Sequence, residues 1–186
     1  MTNPTPPRPG KFSPEVIAAV AERLLPSVQE HLGDDANGEE LGDLKDALGD
    51  CSYDAHWEGY KLAKCLDEHY YWGDACDLSL CEILDNAEAI AYKVLQVLVS
   101  DWVKANKIEP QVPVGTAVEL TSGWNKLTGK VAAINYGTAE YTVQEDGKTY
   151  TPSESGFVAG YLVPYEGVKA IGEEAAHGGT HTDGTD

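Results

Sequence analysis

Two hydrophobic periods divide this chain. From Ser13 to about Lys107 apolar residues recur every three or four positions, and beyond Val112 they alternate, so helices are expected first and strands afterwards. Ser13 is a good N-cap and Pro14 suits the first helical position, and Val16, Ile17, Val20, Ala21, Leu24 and Val28 follow at helical spacing. Pro26 lies inside that pattern and predicts a kink or a break, with Gly33 ending the element. A short helix is expected over Glu39–Leu48 with Leu41, Leu44 and Leu48 inward. Another is expected from about Asp54 to Tyr70, with Gly59, Leu62, Ala63, Leu66 and Tyr70 on one face. The strongest helical signal starts at Ser79, whose spacing to Glu82 is a capping box, and holds its period to about Lys107. Its broad apolar stripe predicts the central helix of a bundle.

The prolines of "IEPQVPVG", 108–115, end the helical region. Short β-rich runs follow: "TAVELT", "GKVAAINY", "AEYTVQE", "KTYTP" and "AGYLVPY". Asp146-Gly147, between the third and fourth, is a strong hairpin signal. Five strands in about fifty residues is the layout of a small closed barrel. The expected class is therefore α+β. A flexible proline-rich leader covers 1–12, an acidic helical bundle 13–107, a five-stranded barrel 108–165, and a disordered tail 166–186.

Gly115 precedes the first strand, and Gly129-Lys130-Val131 lies in the second. In this respect "VPVGTAVELTSGWNKLTGKVAAI" resembles the start of SH3-like small barrels of the KOW and Tudor-like kind, over about 112–165. The resemblance implies binding of RNA, peptides or proteins in place of catalysis. From Pro113 to Tyr165 there are five acidic residues against three lysines, which speaks against RNA binding of the KOW type. The helical region resembles no family.

Charge sharpens the picture. Asp and Glu total 31 against 13 Lys and Arg, giving a net charge of -18. Such a field repels nucleic acid and anionic lipid and attracts basic surfaces, so neither direct nucleic-acid binding nor membrane binding is expected. Acidity is denser at first, with 20 acids against 9 bases in residues 1–107. Between Glu30 and Asp50 there are eight acids and one lysine, and Glu40, Asp43, Asp46 and Asp50 recur as a stripe opposite the leucines. Such a stripe either serves solubility or imitates nucleic acid phosphates and occupies a partner's basic groove. Asp35, Glu39, Glu40, Asp43, Asp46 and Asp50 are the candidate partner-binding residues, together with Trp124 on the "SGWNKLTG" loop. That tryptophan either meets a partner or folds back over one barrel end.

Three of the four cysteines fall in "CLDEHYYWGDACDLSLC". Cys65 and His69 share a helix face, and with Cys76 and Cys81 they are a candidate zinc set, yet no Cys-x-x-Cys is present and reduced cysteines also serve as core. No cofactor is expected beyond that option. The sequence contains no Walker, Rossmann, Gly-x-Ser-x-Gly or His-Glu-x-x-His motif, so no catalytic residue is nominated. The leader has no apolar segment of the signal-peptide kind, and a cytoplasmic location is expected. The expected function is a non-enzymatic acidic protein binding a basic protein partner, a nucleic-acid mimic that inhibits a DNA- or RNA-binding machine. In size, acidity and lack of motifs it resembles accessory proteins of bacteriophages. The alternatives are an assembly component docking through its barrel and a zinc-stabilised module.

Overall fold

A computed structural model describes residues 6–51, 56–122, 125–150 and 158–171. The chain divides into two compact units, Met1–Trp102 and Val103–Asp186, and the division falls inside the last helix, not after it at Lys107. The class is α+β, with an antiparallel five-stranded sheet in the second unit. Among the described residues, no helix is long and apolar enough to cross a membrane.

Helix α1 runs from Pro14 to Leu32 and buries Val16, Val20, Leu24 and Val28 along one stripe. Pro26 neither breaks nor ends it. The proline is on the exposed side, so the carbonyl deprived of a donor faces water while the buried stripe holds the helix. Gly33 stops the helix at φ 56, its N–H donating to the Gln29 carbonyl. Helix α2, Glu40–Asp50, buries Leu44 and Leu48, with Leu41 half-buried on the same core. Helix α3 spans Gly59–Tyr70 and starts later than expected. Asp54 lies outside the described residues.

The long helix expected from Ser79 to Lys107 is two: α4, Leu78–Leu84, and α5, Ala87–Asn106. Asp77, not Ser79, caps α4, its Oδ1 accepting the Leu80 N–H at 3.0 Å. Asn86 makes the break by donating its side-chain amide to the carbonyls of Glu82 and Ile83, at 3.2 and 3.0 Å, where a continuing helix would place backbone donors. The neighbouring Asp85 carboxylate accepts the Gly59 N–H at 2.6 Å and so ties α3 to α4. The approach there is close enough that a Cβ on Gly59 would run into the Cys81 carbonyl. Helix α1 packs on α2 and α4, α3 packs on the same two, and Leu62, Leu66, Leu80 and Leu84 meet in their core with Trp57.

From Pro6 onward the leader makes contacts with the helical unit. Trp102 donates its indole N–H to the Pro6 carbonyl at 3.0 Å. Lys11 pairs with Glu88 at 2.5 Å, and Phe12 meets Trp57 edge-on at 5.3 Å between centroids. A proline-rich segment has little freedom to lose, so a few such contacts suffice to fix it.

In the second unit, β1 (Ala117–Ser122), β2 (Asn125–Asn135), β3 (Glu140–Glu145), β4 (Tyr161–Pro164) and β5 (Val168–Ala170) pair in the order β4-β3-β2-β1-β5. Two expectations fail here. "KTYTP" supplies no strand among the described residues, although Asp146-Gly147 does turn, with the Lys148 N–H on the Glu145 carbonyl. The fifth strand instead comes from the stretch read as tail, where Val168–Ala170 pairs with β1. Three residues are too short to show a period in the sequence; the exposed edge of β1 selects them.

The sheet curls. Strands β4 and β5 lie on opposite edges, which in a flat sheet would be roughly 19 Å apart at the usual strand spacing. The chain from Pro164 to Val168 is a single 3₁₀ turn and reaches at most about 14 Å. The edges must therefore approach, and Val163 and Val168 pack on one core with Val118, Leu120, Val131 and Val143. Tyr141 lies at its centre, 0% exposed, with its hydroxyl accepting the Val112 N–H at 2.9 Å. The expected closed barrel is not reached, because among the described residues no pairing joins β4 to β5. Gly129 of the Gly-x-Val motif is explained by close approach: a Cβ would collide with the Gln144 carbonyl on β3.

Candidate functional site

The turn between α1 and α2 builds the first wall of a cleft. Gly33 and Gly38 take positive φ, 56 and 90, and bring Asp35, Asn37 and Glu39 to its lip. Glu40, the first residue of α2, is 3% exposed. Its carboxylate accepts the backbone N–H groups of Asn37 and Gly38, at 2.5 and 2.9 Å, and the Gln29 side-chain amide at 3.3 Å. Burial works to raise this carboxyl, and the donors outweigh it, so its pKa lies below the ordinary value. Glu40 therefore leaves the exposed stripe that helical spacing assigned it to, because it folds back to satisfy amides of the turn just before its own helix.

The end of α3 builds the second wall. Tyr71 closes the helix in the left-handed region at φ 61, a position usually filled by glycine, and its side chain is 90% exposed. Trp72 reaches across the cleft and donates its indole N–H to the Asp43 carboxylate at 2.8 Å. The next turn, Gly73–Ala75, is held by His31, whose Nε2–H donates to the Ala75 carbonyl at 3.0 Å.

Between these walls is a cleft of about 510 Å³. Asp35, Glu39, Glu40 and Asp43 line one side, and His69, Tyr70, Tyr71, Trp72 and Asp74 the other; among the described residues no Lys or Arg lines it. The exposed carboxylates of Asp35, Glu39 and Asp74 have no ion-pair partner among the described residues. Carboxylates and aromatic ring faces both attract cations, so the arrangement suits a positively charged group with a flat or apolar body.

Asp46 and Asp50 are exposed on α2 but do not line the cleft. Asp50 accepts the Tyr70 hydroxyl at 3.3 Å, and burial together with Asp50 and Asp46 pushes that phenol up to about 12. Among the other acids of the helical unit, Asp74 lines the cleft. Asp77 and Asp85 are used inside the fold, while Glu58 and Glu68 pair with Lys61 and Lys64 at 3.3 and 3.7 Å. Trp124 lies outside the described residues.

Cys65, His69, Cys76 and Cys81 are not brought together, and the described residues hold no group of three or more His, Cys, Asp or Glu placed to grip a metal. Cys65 faces the core while His69 lines the cleft. Burial pushes the Cys65 thiol up to about 12 and the Cys76 thiol to about 11, which keeps both protonated. The residues that sequence reasoning missed are Tyr71 and Trp72. Their signal was a run of aromatics directly before Gly73, at a helix end where they cannot all turn inward. No known family, curated protein or solved structure matches this chain.

Proposed function

We propose that the protein is a non-enzymatic interaction module that binds a basic protein partner through the acidic and aromatic cleft of its helical unit. The observation that carries this reading is the cleft's lining: five carboxylates and three neighbouring aromatic residues, with no Lys or Arg among them. An arginine of the partner fits best. Its guanidinium offers five donors to several carboxylates and stacks on ring faces such as that of Tyr71, whereas a lysine offers a point charge. The left-handed backbone at Tyr71 supports the same reading, since a bulky residue there is strained and glycine would be the relaxed choice. Where the partner's basic surface serves nucleic acid, the acidic helical bundle acts as a mimic and competes for it.

The sheet unit reads as an SH3-like barrel left open along one seam. Its curled meander and its return of the last strand to the first support the resemblance carried by Gly115 and Gly129. In this scheme it holds or orients the helical unit in an assembly.

The test is titration of fluorescent arginine-rich and lysine-rich peptides of equal charge. The arginine peptide is expected to bind more tightly and to weaken as salt rises. Asp35→Asn combined with Asp74→Asn should cost roughly tenfold in affinity. Equal binding by that double variant, or no binding by the wild type, would refute the proposal.

A further inference from the structure

A second groove on the helical unit has the opposite character. It is about 250 Å³ and lies between α1 and the junction of α4 with α5. Leu24, Ile83 and Ile90 contribute apolar surface, and Arg23, Ser27, Asn86 and Lys93 complete the rim. Among the described residues no Asp or Glu lines it, although residues 1–107 carry 20 acids against 9 bases. It shares no lining residue with the acidic cleft.

Arg23 and Lys93 stand on different helices, both are exposed, and neither has an ion-pair partner among the described residues. Three other bases of the unit are paired, Lys11 with Glu88, Lys61 with Glu58 and Lys64 with Glu68. In so acidic a unit, two cations left unpaired on either side of an apolar strip form a local inversion of charge. Asn86 already gives its side-chain N–H groups to the end of α4, which leaves its Oδ1 as an acceptor.

We infer that this groove docks an acidic, leucine-containing peptide segment of a second partner protein. An aliphatic side chain covers Leu24, Ile83 and Ile90, carboxylates on either side pair with Arg23 and Lys93, and a backbone N–H reaches Asn86. Charge and shape select this occupant. Nucleic acid needs a row of cations and is repelled by the net charge of -18. A long acyl chain needs enclosure that an open groove of this size does not give. With an acidic cleft and a basic groove, one small unit can join two partners of opposite charge.

The experiment is fluorescence anisotropy with a labelled peptide carrying two leucines flanked by aspartates. Wild-type protein is expected to bind it saturably, and Arg23→Glu combined with Lys93→Glu to weaken it roughly tenfold. Lys107→Glu combined with Lys130→Glu makes the same change in net charge at two residues that do not line the groove and should leave binding unchanged. Replacing the peptide leucines by serine should weaken binding as much as the groove variant does. Circular dichroism of both double variants verifies that these exposed substitutions leave the fold intact. The inference is overturned if the wild type binds no peptide, if both double variants weaken binding equally, or if the serine peptide binds as well as its parent. None of these results bears on arginine binding at the cleft, which shares no residue with the groove.

Discussion

On the sheet unit, Glu119 meets Lys126 at 3.0 Å between neighbouring strands, and Glu145 meets Lys148 at 2.5 Å across a turn. On the helical unit, Asp35, Glu39 and Asp74 gather around a cleft that no Lys or Arg among the described residues lines. The acid surplus of the whole chain therefore has two different meanings. On the sheet unit these two acids find their partners within the fold. Around the cleft, Asp35, Glu39 and Asp74 have no such partner among the described residues, and their charge faces solvent.

The contrast can be broken or sharpened in four ways. The largest effects should come from Gly59→Ala and Gly129→Ala, since each added methyl meets backbone in its own unit. Each should lower stability by about 1–3 kcal/mol in urea denaturation, the first seen in the helical signal and the second in tyrosine fluorescence of the sheet. Equal loss of both signals in either variant would show that the units unfold as one.

Next is Glu40→Gln, expected to cost about 1–2 kcal/mol at neutral pH by weakening a buried acceptor of three donors. The folded pKa of Glu40 is depressed, so its contribution is complete above the ordinary carboxylate value and is lost as pH falls through the folded value. A pH series of melting temperatures should therefore show a smaller acid-induced drop in the variant than in the wild type. Tyr71→Gly should have the opposite sign. Relief of the left-handed strain is worth up to about 1 kcal/mol, while loss of the exposed ring weakens arginine-peptide binding. Tyr71→Ala separates the two effects, because it removes the ring and keeps the strain. The smallest effect belongs to Lys148→Ala, which breaks an exposed pair and should leave the melting temperature essentially unchanged.

Much of the helical unit was legible. Val16, Val20, Leu24 and Val28 showed the buried face of α1, and Leu44 and Leu48 that of α2. The break between α4 and α5 was not, because the apolar period runs on across Asp85-Asn86 and only the side-chain bonds of Asn86 interrupt it. For the candidate site, spacing placed Asp35, Glu39 and Asp43 in one region of the chain, and the structure lines one cleft with all three. It also enrolled Glu40, whose carboxylate turns inward, and it passed over Tyr71 and Trp72, whose stretch offered its cysteines as either a zinc set or core.

The sequence by itself determined where helices give way to strands and that carboxylates far outnumber bases, since periodicity and net charge are properties of the linear chain. Tertiary structure alone decided which carboxylates stay free. A side chain's neighbours across the fold settle that, and they joined Asp43 to Trp72 across 29 residues, sank Glu40 among backbone amides, and drew Val168–Ala170 from an unpatterned end onto the open edge of β1.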